Sequence, residues 1–153
     1  MRILAVNYEF PPLGGGGGVA AKNLHAAMVH RGHQVDYITT HFQDLPRQED
    51  IEGIRVYREP VWGRTRQDTA TIVSMLSFPA AAIRRGLTLA RQYKYDLIHT
   101  HFAIPSGPAG YALSKKLNLP HVLSVYGGDI YDPSKPYSPH RHPILKPVVR
   151  SVL

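Results

Sequence analysis

Residues 2–40 read RILAVNYEFPPLGGGGGVAAKNLHAAMVHRGHQVDYITT. The stretch opens with a strand-length apolar run at residues 2–7. A loop with Pro11, Pro12 and five consecutive glycines, residues 14–18, follows. Ala20, Ala21, Leu24, Ala27 and Met28 then recur at helical spacing, with Lys22, His25 and His30 on other faces. Arg31 suits the negative end of that helix and Gly32 a left-handed cap. "QVDYITT", residues 34–40, is a second strand. Strand, helix and strand at this spacing form a crossover unit, whose strands lie parallel.

The same alternation continues outward. A polar loop, residues 41–52, leads to "GIRVYRE", a strand with Ile54 and Val56 inward and arginines outward. Helices are expected at about residues 68–77 and 79–93, with Pro79 in the first turn of the second. Residues 96–101 form a fourth strand, "GPAGYALSKKLN" a helix, and residues 121–126 a fifth strand. From Asp132 the chain is proline-rich and basic, then apolar over residues 144–153. The pattern predicts an α/β fold: a Rossmann-like three-layer sandwich around a mostly parallel sheet. The closing "PVVRSVL" reads as a chain that continues into a longer protein.

The 153 residues suffice for one domain with a real core. Hydrophobic residues at 43% and charged residues at 19% exclude a disordered tail. There is no cysteine, so disulfides, thiolate metal sites and a cysteine nucleophile are excluded. The apolar start is too short for a signal peptide, and no run approaches the ~18 residues of a spanning helix. A cytoplasmic setting is expected. A net charge of +7 favours phosphate-bearing partners. The basic residues gather at Arg84, Arg85, Arg91 and Lys94, and at Lys135, Arg141, Lys146 and Arg150.

In open parallel sheets, ligands sit beyond the carboxyl ends of the strands, where the glycines lie. Glycine allows close backbone approach, and the helix start offers unpaired N–H groups, so the loop suits a phosphate or carboxylate. Gly15, Gly17 and Ala20 satisfy a loose dinucleotide pattern. The intervening residues 8–13 and an Asp36 set too early in its strand argue against an NAD(P) oxidoreductase or epimerase domain, which stands as the alternative. No Gly-Lys-Ser/Thr ends the run, so a mononucleotide P-loop is absent.

His99 and His101 alternate onto one face of a strand, a spacing that can ligate a metal. Asp129 and Asp132 are the acids at that edge, and the pair reads better as core or cleft histidines, with His101 facing the cleft. No metal is assigned. Tyr126 and Asp129 in "SVYGGDIYD" are placed to hydrogen-bond sugar hydroxyls, although a plain strand-to-loop turn fits as well. The tyrosines fall mostly inside strands and turns, so no nucleic-acid partner is expected.

Taken in series, the glycine loop, the "RGH-x-V" step, "D-x-I-H-x-H" and "P-x-V-x-S-V-x-G-x-D" are similar to the N-terminal domain of GT-B-fold, family 4 glycosyltransferases, over residues 1 to about 132. The resemblance implies that residues 1–153 are a truncated acceptor-side lobe, its nucleotide-sugar-binding C-terminal domain absent from this chain. It implies retaining sugar transfer from a nucleotide sugar, such as a UDP- or GDP-sugar, to a glycan, lipid-linked or small-molecule acceptor. No separate cofactor is implied. The family's glycine pair would fall on Gly15 and Gly16, with Gly17 in the same phosphate loop, while His101 and Asp129 would line the acceptor cleft. Tyr126 stands where the family often has a histidine that meets the donor sugar, and is the catalytic candidate. The family's two glutamates eight apart are missing: this chain has Glu9, Glu49, Glu52 and Glu59 only. The chain alone is therefore expected to be inactive. Residues 77–94 are the candidate for peripheral contact with the inner membrane face.

Overall fold

The computed structural model describes residues 1–131, 138, 142–143 and 145–153. The first strand, β1 (Arg2–Val6), is followed by α1 (Gly16–His30), β2 (Gln34–Thr40), β3 (Gln48–Ile51) and β4 (Ile54–Glu59). Then come α2 (Ile72–Gln92), β5 (Leu97–His101), α3 (Gly107–Leu117), β6 (His121–Ser124) and α4 (Leu145–Val152). The strands form one sheet in the order β3-β4-β2-β1-β5-β6. All neighbours pair in parallel except β3 with β4. The expected α/β sandwich is thus present, with β1 at its centre.

Alternation along β1 splits the core in two. Leu4 and Val6 pack with Ile38, Ile98, Phe78, Ala82, Leu89, Ala109 and Leu113, which brings α2 and α3 onto one face. Ile3 and Ala5 pack with Val35, Tyr37, Ile54, Val56, Ala21 and Ala26, which brings α1 onto the other. Strand order reverses between β1 and β5. Their carboxyl ends therefore open the crevice where ligands of such sheets bind.

Five expectations change. The polar loop at residues 41–52 contains β3, which pairs antiparallel with β4. Glu52 and Gly53, at φ 55° and 78°, make a two-residue turn of the type that fits strand twist. Arg58 is not outward but 1% exposed. Its guanidinium donates to Glu49 Oε1 at 2.7 Å and to the Pro11 carbonyl at 2.9 Å, so a polar edge strand carries the counter-ion for a buried arginine.

The two helices expected around Pro79 are one, α2. Thr71 and Ser74 form a reciprocal capping box at its start. Pro79 removes one helical donor. The buried stripe Ser74, Phe78, Ala82, Gly86 and Leu89 nevertheless keeps its phase across it, and that packing holds the helix together. The inward face of α1 is also rotated from the expected one: Gly18, Ala21, His25 and Ala26 are buried, while Leu24 is 40% exposed. Gly18, Ala21 and Ala26 let the helix approach the sheet closely, and His25, not Leu24, fills the space over His99 and His101. The fifth predicted strand ends at Ser124, leaving Tyr126 in the following loop. Asp132, Lys135 and Arg141 lie outside the described residues.

Candidate functional site at the β1–β5 switch point

Three loops meet at the crevice. The first leaves β1 and is pinned by its own side chains. Tyr8, Phe10 and Leu13 are buried, and Leu13 N–H donates to the Phe10 carbonyl at 2.9 Å. Asn7 Nδ2 donates to the Tyr37 hydroxyl at 2.8 Å, and Tyr8 N–H to Ser106 Oγ at 2.9 Å. Thr40 Oγ1 donates to the Tyr8 carbonyl at 2.8 Å. A glycine run anchored this way is ordered, and its cost in chain entropy is offset by buried rings and satisfied amides.

The glycines then divide by task. Gly14 sits at φ +91° with the Glu9 side chain where a Cβ would stand, so only glycine fits. Gly17 lies against the ring of Phe102, which leaves no room for a side chain. Gly15 and Gly16 face open space, with nothing within 4 Å of an added Cβ. Packing does not require glycine at these two positions. Gly15 is the N-cap of α1 and no side chain caps it. Its N–H donates to Glu9 Oε2 at 3.0 Å. The N–H groups of Gly16 and Gly17 belong to the first turn and have no intrahelical acceptor.

The second loop follows β5. Phe102, at φ 69°, turns its ring between the glycines and Tyr126, whose ring centroid is 4.6 Å away. Backbone strain at a bulky residue is maintained only where the surroundings fix it, and here it aims an aromatic ring into the crevice. Phe102 was not singled out in the sequence, where "HTHFA" shows no sign of its conformation.

The third loop follows β6. Tyr126 hydroxyl and His101 Nδ1 are hydrogen-bonded at 2.8 Å. Burial, and then the Asp129 carboxylate, raise the tyrosine's pKa, so its hydroxyl is neutral at working pH. Asp129 Oδ1 accepts from Tyr126 N–H at 2.9 Å and Oδ2 from Ala103 N–H at 2.6 Å. Asp129 is 8% exposed. The geometry makes it a clamp that ties the loop after β6 to the loop after β5, with both oxygens turned to the main chain. Of the site residues read from the sequence, Gly15, Gly16 and Tyr126 reach the crevice. Gly17 and His101 lie beneath it, under Phe102 and Tyr126 respectively.

His101 is fully buried on the α1 face, and His99 shares that face. The fold adds a third imidazole there, His25 of α1, at ring-centroid distances of 5.0 Å from both. Burial foremost, with neighbouring imidazoles second, pushes His25 and His99 down to about 4 and His101 to about 2. All three are neutral at pH 7. The helical periodicity put His25 outward, and only the packing of α1 reveals its place.

Asp36 occupies the amino half of β2. Its Oδ2 accepts from Arg2 Nε at 3.2 Å, Arg55 Nη2 at 2.6 Å and the Tyr95 hydroxyl at 2.8 Å. It is fully buried and committed to these partners, away from the crevice. Asp36 therefore does not supply the ribose-binding carboxylate of a dinucleotide site.

An open groove of about 470 Å³ adjoins the glycine loop, lined by Pro12, Gly14, Phe42, Gln43 and residues 65–68. A profile of the glycosyl transferase 4-like domain matches residues 15–153, which include the bare glycines, α1 and the crevice loops after β5 and β6. The chain belongs to the glycosyl transferase 4-like domain family. It is 32% identical to the uncharacterized glycosyltransferase MJ1607 of Methanocaldococcus jannaschii over 137 residues, 85% of this chain and 32% of that protein. It is 27% identical to the alpha-monoglucosyldiacylglycerol synthase of Streptococcus pneumoniae, over 82% of this chain and 26% of that one. The chain thus spans about a third or less of these relatives. The sucrose-phosphate synthase of Thermosynechococcus elongatus superposes on all of it with a TM-score of 0.76 at 19% identity, covering 40% of that structure, a likeness of fold. Among the described residues, no helix is long and apolar enough to cross a membrane.

Proposed function

We propose that this chain is the acceptor-side lobe of a retaining glycosyltransferase, which moves a sugar from a nucleotide sugar such as a UDP- or GDP-sugar to an acceptor. The observation that carries this is the pair Gly15 and Gly16, bare of neighbours at the uncapped start of α1, at the sheet's switch point. Sugar transfer leaves negative charge on a departing diphosphate. Fixed N–H dipoles at a helix start stabilise that charge without reorganising. Glu9 already holds the Gly15 amide, so the phosphate engages the amide of Gly16 at the start of α1. The Tyr126 hydroxyl, held by His101, offers a neutral hydrogen-bonding group to the donor sugar. The groove beside Gly14 takes the acceptor. Closure against a second lobe orients the two substrates and excludes water that would hydrolyse the donor. The glutamate pair absent from this chain belongs to that lobe, and the chain alone does not turn over.

The test is Gly15→Val and Gly16→Val in the complete enzyme. Both variants keep their melting temperature within a few degrees and lose turnover by at least tenfold, because a Cβ blocks approach to the amides. Unchanged kinetics in both removes the phosphate role of the loop.

The acceptor is proposed to be lipid-linked. Trp62 is 78% exposed, Leu76 72%, Ile72 66% and Val73 55%, and Arg64 and Arg66 lie in the same connection. Apolar residues beside arginines suit an anionic membrane surface. This moves the contact from residues 77–94 to residues 62–76. The streptococcal relative, by its name a glucosyldiacylglycerol synthase, fits that acceptor class. Liposomes with anionic lipid should co-sediment the chain at low salt, and Trp62→Ser with Leu76→Ser should abolish it. Negligible co-sedimentation of the unaltered chain removes the membrane part.

A further inference from the structure

Three imidazoles meet between α1 and the sheet, under the helix that carries the glycine loop. His25 comes from α1, and His99 and His101 come from β5 on the facing side. The two β5 rings are 4.2 Å apart between centroids. His25 and His101 are 0% exposed and His99 4%. Each ring spends one nitrogen on an anchoring hydrogen bond. His25 Nδ1 donates to the Ala21 carbonyl at 2.9 Å. His99 Nε2 is bonded to Ser124 Oγ at 2.9 Å, and His101 Nδ1 to the Tyr126 hydroxyl at 2.8 Å. The other nitrogen of each, His25 Nε2, His99 Nδ1 and His101 Nε2, is buried without a partner.

Three such nitrogens cannot satisfy one another. A neutral imidazole nitrogen carries either one proton or one lone pair, so it takes part in one bond. Pairing two leaves the third bare. The Ala21 carbonyl can only accept, so the His25 proton is on Nδ1 and its Nε2 bears a lone pair. If His99 and His101 donate outward in the same sense, three lone pairs are left inside the protein.

We propose that His25, His99 and His101 form a three-histidine site for a divalent transition metal of the zinc class. The donor set selects this class. It is all imidazole: no cysteine exists in the chain, and among the described residues no carboxylate joins the group. Calcium and magnesium demand oxygen ligands, whereas zinc, cobalt, nickel and copper accept imidazoles. The outward bonds to a carbonyl and two hydroxyls are of the kind that orient metal-bound histidines. Burial keeps all three rings unprotonated at neutral pH, the form a metal binds.

The spacing is close to what such a site needs. One ring nitrogen from each histidine lies within 4.8 Å of the others. Ligands on a tetrahedral zinc at 2.0–2.1 Å stand ~3.3 Å apart, so each ring moves inward by less than about 1 Å. A fourth position is left to a buried water. The metal would pin α1 to β5, and through His101 it would touch the bond that holds Tyr126. None of this depends on sugar transfer, and the site can be tested on the 153-residue chain without an activity.

The chain is stripped with a chelator and titrated with Co²⁺ alone and Zn²⁺ alone at pH 7.5. The expected result is about one equivalent bound, visible absorption bands of low-symmetry Co²⁺, and a rise in melting temperature with Zn²⁺. His25→Gln should weaken binding at least a hundredfold, while His30→Gln, exposed on the same helix, leaves it unchanged. Because His25→Gln could unfold, the ring signals of the unaltered chain are followed by NMR, and those of His25, His99 and His101 should shift together on Zn²⁺ addition. Absence of Co²⁺ bands and of any thermal shift overturns the proposal and leaves a water among the rings. Binding that survives His25→Gln with an unchanged spectrum, or shifts confined to His30, His33 and His41, overturns it in favour of surface histidines.

Discussion

The two faces of the sheet are built from alternate residues of the same strands, yet they differ in kind. The face under α2 and α3 is filled with large apolar side chains, among them Leu4, Val6, Ile38, Phe78, Ile98 and Leu113. The face under α1 mixes apolar residues, among them Ile3, Val35, Ile54, Val56 and Phe10, with polar rings. Those rings are Tyr37, His25, His99 and His101. One face supplies stability. The other gives up dispersion and apolar burial for groups that can hydrogen-bond, ligate or hold a neighbour in place. Chemistry gathers on the second because α1 starts at the glycine loop and lies directly over it.

If that contrast is right, the largest loss comes from the apolar face. Phe78→Ala removes a fully buried ring packed edge-on at 5.4 Å against Tyr8. Urea unfolding should show a loss of about 3–5 kcal/mol. A loss below ~1 kcal/mol would mean that the α2 face is not the main core.

Acid probes the α1 face next. The folded pKa of His25, about 4, lies below its unfolded 6.5, so the unfolded chain binds protons more readily. In metal-free protein, stability is full above pH 6.5 and falls as pH drops toward 4, by about 3 kcal/mol for His25 alone. His121 and Tyr126 border the same pocket, and neither supplies a carboxylate to charge-balance the rings. His99 and His101, also displaced downward by burial, act in the same direction. Stability that stays flat between pH 7 and 4.5 would deny that these rings are held neutral.

A smaller effect is expected at the clamp. Asp129→Ala leaves a buried amide, Ala103, and a half-buried one, Tyr126, without their acceptor. The cost is about 1–3 kcal/mol, seen as faster hydrogen exchange at both amides. Protection that persists would mean the two loops are held by something else. The smallest is at the open glycines. Gly16→Ala meets no atom within 4 Å and gains helix propensity, so stability should rise by at most about 1 kcal/mol. A marked loss would show that Gly16 is there for packing, not for access.

Much of this was legible along the chain. Strand-length runs at residues 2–7 and 34–40, with a glycine-rich turn and a helix between, were enough to predict a parallel unit, and the sheet follows. The glycine loop could be located by position alone, whereas Asp129, expected to meet sugar hydroxyls, holds two main-chain amides instead. The edge strand Gln48–Ile51 could not, because its polar residues pair with β4 through Arg58 and Glu49 instead of burying an apolar face. The Glu52-Gly53 turn was the one local sign of it. Pro79 suggested a helix boundary because local rules see the missing donor and not the stripe that crosses it. The periodicity sets His25 on another face because Leu24 beside it is the more hydrophobic residue.

By itself, then, the sequence determined the alternation of the five parallel strands with helices and the place of the glycine loop at the carboxyl edge of the sheet, but not β3 or the unity of α2. Those follow from periodicity of two and of 3.6 and from where glycine and proline interrupt it. Only the tertiary structure decided which side of α1 faces inward, which glycines are bare and which are filled by Phe102 and Glu9, and that three histidines from two elements share one buried space. These depend on how closely two backbones approach, and hydrophobicity read along a single chain carries no measure of that distance.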